Sequence, residues 1–362
     1  MSKVEHGANL FELASNYGFD IKEIMDFSSN INPFGASPRA LNEISKNPNI
    51  VSIYPDPSYI ELKNAISSYT RTSQNNILLG SGATGLISGF IKYVNPKNSM
   101  ILSPAYSEYK RELNKLNSNI FEFFLTEDHE FKVDTQAIIN FANSNKCELI
   151  VICNPNNPTG SILSSAEIKK ILENTDAYIL VDETYIEFTD QEFYSSGALV
   201  DDFSKIFVIR GTSKFFSTPG IRLGYALSSD LNIKTNLQND MNLWSINIFA
   251  DKMGQIMFLD KNYQANTFKL IEAERNFIFD ELSKIKHLHV YPSKGNFILS
   301  KIKTPNISAF DLYEALLPHK IIIRNCSNFP GLDSSYFRVC VLKAEENKLL
   351  IKNLNEIFSK YD

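Results

Sequence analysis

The feature that most narrows what this chain can fold into is an alternation of short, wholly apolar runs with amphipathic stretches. "NNILLG" leads into "SGATGLISGFIKYV", "ELIVIC" passes through "NPNNPTG" to "SSAEIKKILENT", and "AYILVDE" and "KIFVIR" follow. Apolar runs this short, bounded by turn residues, read as strands buried on both faces, and the amphipathic segments between them read as helices covering the sheet. The pattern is that of βαβ units in an α/β fold with a mostly parallel sheet sandwiched by helices. Ser164 and Glu167 form an S-x-x-E capping box that starts one of these helices. Beyond about residue 245 the pattern changes to a longer helical period ("FKLIEAERNFIFDELSKI") and to alternating strands ("GNFILSKI", "YFRVCVLK"). At 362 residues the chain exceeds one ordinary core. The expected division is an N-terminal segment over 1–44, a large α/β domain over 45–245 and a smaller α+β domain over 246–362.

Composition removes several classes of partner. With 43% hydrophobic residues and a net charge of -5, the chain has a globular core and no basic excess for a nucleic-acid surface. No run approaches the roughly 20 apolar residues of a membrane span. Glu5, Glu12 and Asp20 sit where a secretory leader would be apolar. Cys147, Cys153, Cys326 and Cys340 show no C-x-x-C spacing, and His287 with His289 does not complete a metal set. The expectation is a cytoplasmic protein with reduced thiols, no metal, no membrane and no nucleic acid.

The polar residues that follow the apolar runs carry the chemistry. Gly80-Ser81-Gly82-Ala83-Thr84, Asn157, Asp182 with Tyr185, and Lys214 each lie just past a run's end. In a doubly wound sheet, ligands bind outside the carboxyl ends of the strands, so separate segments deliver these groups to one crevice. Taken singly, a Gly-rich turn or a strand-terminal acid is ordinary. Together they make a phosphate cradle, an acid, hydrogen-bond donors, a lysine and an arginine, the set that pyridoxal 5'-phosphate requires. Lys214 offers an amine to the cofactor's aldehyde, with small neighbours Gly211 and Ser213 leaving room. Asp182 keeps the pyridine nitrogen protonated. Tyr185 and Asn157 bond the phenolate oxygen, and Tyr106 stacks on the ring. The N–H groups of Gly82, Ala83 and Thr84 at a helix start, with the Ser213 hydroxyl and the Arg222 charge, receive the phosphate. Lys214, Asp182 and Tyr185 are the expected catalytic residues.

"NPNNPTG", "ILVDETYIEF" and "TSKFFSTPGIRLGY" resemble the fold-type I pyridoxal-phosphate enzymes of the aspartate aminotransferase superfamily, over nearly the whole chain. That resemblance implies a large domain with a mostly parallel seven-stranded sheet and a smaller α+β domain. Within the superfamily, "EHGANLFELA", "DFSSNINPFG", "YPDPSY", "LWSINIFA" and "IIIRNCSNFPGLDSSYFRV" are similar to threonine-phosphate decarboxylases of the cobalamin pathway, and more distantly the chain resembles histidinol-phosphate aminotransferases. By resemblance, Arg338 holds the substrate carboxylate, with Asn157 beside it, and His6, Asn30 and Arg324 surround the substrate phosphate. Tyr54 would reach the cofactor phosphate of a neighbouring subunit, which implies a homodimer with shared sites. The implied reaction is decarboxylation of O-phosphothreonine or O-phosphoserine. The alternative is amino transfer from glutamate to a small phosphorylated substrate. Ala8, Ser81, Gly85 and Leu342 depart from the family pattern. At Gly211 a hydroxyl that usually contacts the cofactor phosphate is absent, and Thr212 is expected to replace it.

Overall fold

The apolar runs lie in strands where the sequence puts them, in a computed structural model that describes residues 9–361. In chain order the strands are β1 (Met25–Asp26), β2 (Ile77–Gly80), β3 (Asn98–Ser103), β4 (Asn119–Phe124), β5 (Leu149–Cys153), β6 (Tyr178–Asp182), β7 (Ile206–Gly211) and β8 (Gly224–Leu227). They are followed by β9 (Leu288–Val290), β10 (Phe297–Ile302), β11 (Ile321–Ile322), β12 (Arg324–Asn325) and β13 (Tyr336–Cys340). One sheet has seven strands in the order β2-β8-β7-β6-β5-β3-β4. Its pairs from β7 to β4 are parallel, whereas β8 runs antiparallel to both β2 and β7. The protein is therefore α/β with a mostly parallel seven-stranded sheet. β5 and β7 are buried at every position, so both faces are covered, as a parallel sheet requires.

The one reversed strand shapes the site. Gly224 at the start of β8 pairs with Gly80 on one side and Gly211 on the other. A Cβ on Gly224 would stand 2.7 Å from the backbone of Gly82 and Ala83, so only glycine lets β8 pass beneath the start of the helix Ala83–Val94. The helix Ser165–Asn174 begins at the expected capping box, with Ser164 and Glu167 bonded reciprocally.

The second sheet is antiparallel, ordered β12-β13-β10-β9, and is accompanied by the helices Lys261–Ser283, Ala309–Leu316 and Ala344–Phe358. The N-terminal segment joins this half of the chain. β1 pairs in parallel with β11, and the Cys340 N–H donates to the Phe27 carbonyl at 2.8 Å. Between the two sheets, Phe131, Tyr291, Phe329 and Tyr336 belong to a small core of their own. Glu127 closes one edge of that core, accepting from Lys301 Nζ at 2.6 Å and from the Tyr336 hydroxyl at 2.5 Å.

Candidate active site

A cavity of about 320 Å³ opens beyond the carboxyl ends of β2, β5, β6 and β7. Most of the strand-end residues named from the sequence reach it: Gly82, Ala83 and Thr84, then Asn157, Asp182 and Tyr185, then Ser213 and Lys214, with Tyr106 and Arg222 beside them, whereas Gly80 and Ser81 do not line it and the Ser81 hydroxyl donates to the Ser245 carbonyl. Asn30, Arg324 and Arg338 line it from the opposite half of the chain.

Asp182 closes β6 and is 4% exposed. Burial pushes its carboxyl above the usual range, while hydrogen bonds from Thr184 and Tyr109 pull it back toward the ionised form. Thr184 donates its N–H at 3.0 Å and its hydroxyl at 2.5 Å to Oδ1, and the Tyr109 hydroxyl donates to Oδ2 at 2.7 Å. Neither partner is marked by the strand-end pattern. Tyr109 follows Tyr106 by one helical turn in Ser107–Lys115, and that spacing is the only signal it gives. On the same floor, Asn30 donates to the Tyr185 hydroxyl at 3.2 Å.

The phosphate cradle differs from expectation in two details. The Gly82 N–H donates to the Gly80 carbonyl at 2.8 Å, closing a tight turn around Ser81. Ala83 and Thr84 are left in the helix's first turn, which has no side-chain cap. Thr212 does not replace the hydroxyl absent at Gly211. Its hydroxyl donates to the Leu223 carbonyl at 3.0 Å, and its own carbonyl accepts from Thr218, so the side chain is committed to the β7–β8 turn. Arg222 adopts left-handed backbone at φ 56° and aims its guanidinium at Gly82, where a Cβ would lie 2.6 Å from Nη2. Tyr106 shares a hydrogen bond with Thr84 and, chiefly through burial, has its phenol pushed up to about 12.

Lys214 is half-buried, three residues past β7. Burial first, and the Arg338 guanidinium second, lower its ammonium from 10.5 to about 8. Behind the floor lies a second buried cluster. Arg210 Nε pairs with Glu183 at 2.9 Å, while Glu187, 2% exposed, has no side-chain hydrogen-bond partner on either carboxyl oxygen among the described residues. Burial pushes Glu187 up to about 7, against the pull of Arg210.

On the opposite wall, Arg338 is buried, bonded through Nη1 to Asn157 Oδ1 and through Nη2 to the Ser28 carbonyl at 2.6 Å. Arg324 donates to Asn328 at 2.9 Å and lies over the Phe329 ring at 5.3 Å. Ser28, Asn328 and Phe329 are cavity residues that the sequence does not single out. Tyr54 is outside the cavity of its own chain, 75% exposed and stacked on Trp244 at 4.3 Å. His6 lies outside the described residues.

These residues fit pyridoxal phosphate. Among the described residues Asn30 Oδ1 and Arg338 Nε are buried with no hydrogen-bond partner, and buried polar atoms at a cavity wall want a ligand. Uncapped helix N–H groups beside Arg222 suit a phosphate dianion, Asp182 suits a protonated ring nitrogen, and Lys214 has a depressed ammonium for an aldehyde.

The comparisons agree. The chain is 30% identical over 357 residues to the threonine-phosphate decarboxylase of Salmonella typhimurium, covering 98% of this chain and 96% of that one. It is 34% identical over 364 residues to the adenosylcobalamin biosynthesis bifunctional protein CobDQ of Leptospira interrogans, covering 99% of this chain but only 41% of that longer protein. The solved histidinol-phosphate aminotransferase of Clostridium acetobutylicum superposes with a TM-score of 0.86 at 31% identity, over 92% of this chain and 99% of that one. With the family model of aminotransferase class I and II matching residues 22–354, the chain belongs to that pyridoxal-phosphate-dependent family.

Proposed function

We propose that the protein removes CO2 from an O-phosphorylated amino acid, O-phosphothreonine or O-phosphoserine, to leave a phosphorylated amino alcohol. The observation that carries this reading is a pair of arginines. Arg324 on β12 and Arg338 on β13 are direct cross-strand partners, and both line the cavity. Like charges placed opposite one another cost stability, so the pair makes sense when two anionic ends arrive between them. A phosphorylated amino acid brings a carboxylate for the buried fork of Arg338 and a phosphate for Arg324.

Bound pyridoxal phosphate supplies an aldehyde for the substrate amine and an electron-withdrawing ring for the pair released at Cα. Arg338, steadied by Asn157 and Ser28, fixes the carboxylate end, and Arg324 with Asn30 fixes the phosphate end. Holding both ends restricts rotation about Cα, which selection of a single Cα bond requires. Lys214, as its ammonium, carries the proton that Cα needs once CO2 has left. As its amine it would instead take the Cα proton, which is the aminotransfer reaction.

That second reading is favoured by the 31% identity to the clostridial aminotransferase. Histidinol phosphate has no carboxylate, so in that reaction Arg338 would serve the glutamate donor. Incubation with phosphoserine and phosphothreonine while measuring CO2, beside glutamate with a phosphorylated ketone or aldehyde, separates the two. Exchange of amino groups without CO2 from either phosphoamino acid refutes the decarboxylase.

The working form in this reading is a cytoplasmic homodimer. Exposed Val51, Ile53 and Tyr54 lie close together in the chain, and Tyr54 stacks on Trp244; a second copy would cover these apolar groups. The four cysteines are free and buried, in keeping with a reducing compartment. A monomer in sedimentation at working concentration would remove the shared site.

A further inference from the structure

We propose that Tyr109 is the positioning residue for the cofactor's acid: its hydroxyl fixes Asp182 so that one acceptor position remains for the ring nitrogen, on the oxygen Tyr109 itself grips. The argument is a count of lone pairs. A carboxylate accepts about four hydrogen bonds, two on each oxygen. Oδ1 already takes both the N–H and the hydroxyl of Thr184, at 3.0 and 2.5 Å. Among the described residues, Oδ2 takes only the Tyr109 hydroxyl, at 2.7 Å. Asp182 lines the cavity, so its remaining capacity is on Oδ2.

Tyr109 is held for this task. It is 1% exposed, anchored in the helix Ser107–Lys115, and meets the Tyr106 ring edge-on at 5.6 Å. Burial raises its phenol well above the ordinary range, so it remains a donor at every working pH. The contact does more than pack. In a dry site, a hydrogen bond to the charged form is what keeps a carboxylate ionised against the cost of burial. Without it Asp182 takes up a proton more readily, and a neutral acid does not hold a protonated ring nitrogen. Thr184 still anchors Oδ1, so losing the Tyr109 hydroxyl changes the charge of Asp182 more than its place. The inference is the same for decarboxylation and for aminotransfer, since both draw electrons into a protonated ring.

The test uses the apoprotein and two ligands, pyridoxal phosphate and its 1-deaza analogue, in which a C–H replaces the ring nitrogen. Wild type should bind pyridoxal phosphate more tightly than the analogue. Tyr109→Phe keeps the ring and should cut that preference by about tenfold, the order of a lost hydrogen bond to a charged group, while leaving affinity for the analogue unchanged. Tyr109→His, which retains a donor, should restore part of the preference. If both ligands weaken equally in Tyr109→Phe, or if neither does, the hydroxyl has only a packing role and the proposal fails. Should Tyr109→Phe not fold, Tyr109→Leu removes the same hydroxyl and gives the same measurement: the preference should fall while affinity for the analogue holds, and an unchanged preference would overturn the proposal.

Discussion

The depressed ammonium of Lys214 sets how fast the apoprotein captures its cofactor, and the size of the effect follows from its position. An ordinary lysine at 10.5 is neutral in about one molecule in 3,000 at pH 7, whereas one lowered to about 8 is neutral in about one in ten, a gain of roughly 300-fold. Only the neutral amine attacks an aldehyde. Because the pKa is lowered, the reactive form becomes dominant above about pH 8. The second-order rate of capture should therefore climb about tenfold between pH 6 and 7 and flatten above about 8. Stopped-flow absorbance, with limiting pyridoxal phosphate mixed into apoprotein at constant ionic strength, reads this directly. A rate still rising tenfold per pH unit through 9 and 10 would refute the lowered pKa. Arg338→Gln removes the second-ranked cause, so its inflection should move to higher pH. An inflection that stays in place would leave burial and the Arg222 guanidinium as the causes.

Three further outcomes are expected. Arg324→Ala should leave the cofactor spectrum intact but weaken phosphorylated substrates by about ten- to a hundredfold in KM, the value of a charge-assisted contact, while unphosphorylated serine barely responds. Equal loss on both substrates would separate Arg324 from the phosphate. Glu187→Gln tests the buried acid through stability. Its folded pKa is raised from 4.5 to about 7, so the stability it contributes is fully present below pH 4.5 and is lost as pH rises through about 7, up to about 3 kcal/mol. Denaturant melts at pH 5 and pH 8 should show the variant gaining on wild type at the higher pH; parallel curves would refute the shift. Gly82→Ala places a Cβ against the Arg222 guanidinium, and should weaken cofactor binding by about tenfold, the order of a lost charge-assisted contact, as the guanidinium is pushed from its place. Unchanged affinity by equilibrium titration would show that Arg222 swings aside freely.

The cofactor half of the site is legible because each of its groups stands at a strand end, where a local pattern marks it. Asp182 closes β6, Lys214 follows β7, and Gly82 follows β2. The features that no local pattern marks depend on contacts between distant segments or on side-chain direction. Tyr109 meets Asp182 across 73 positions. β1 and β11, two residues each, are too short to carry a period, so nothing in the sequence announces their pairing. Thr212 has the right residue type beside Gly211, but alternation along an extended chain turns its hydroxyl to the Leu223 carbonyl. The reversed direction of β8 hides as well, since an apolar run reads the same in either orientation.

The bond from Arg338 to the Ser28 carbonyl spans 310 positions, and β1 with β11 spans nearly as many. This separation has a consequence for the order in which the protein becomes competent during synthesis. Gly82, Asp182, Lys214 and Arg222 have all been synthesised when little more than three fifths of the chain has been made. The arginine pair and the strand that closes over residues 25–28 arrive only near the end. Vectorial translation thus presents the strand-end groups of the cavity before the arginine pair exists, and in the proposed reading the chain's last hundred residues convert a cofactor receptor into a site that can discriminate among amino acids.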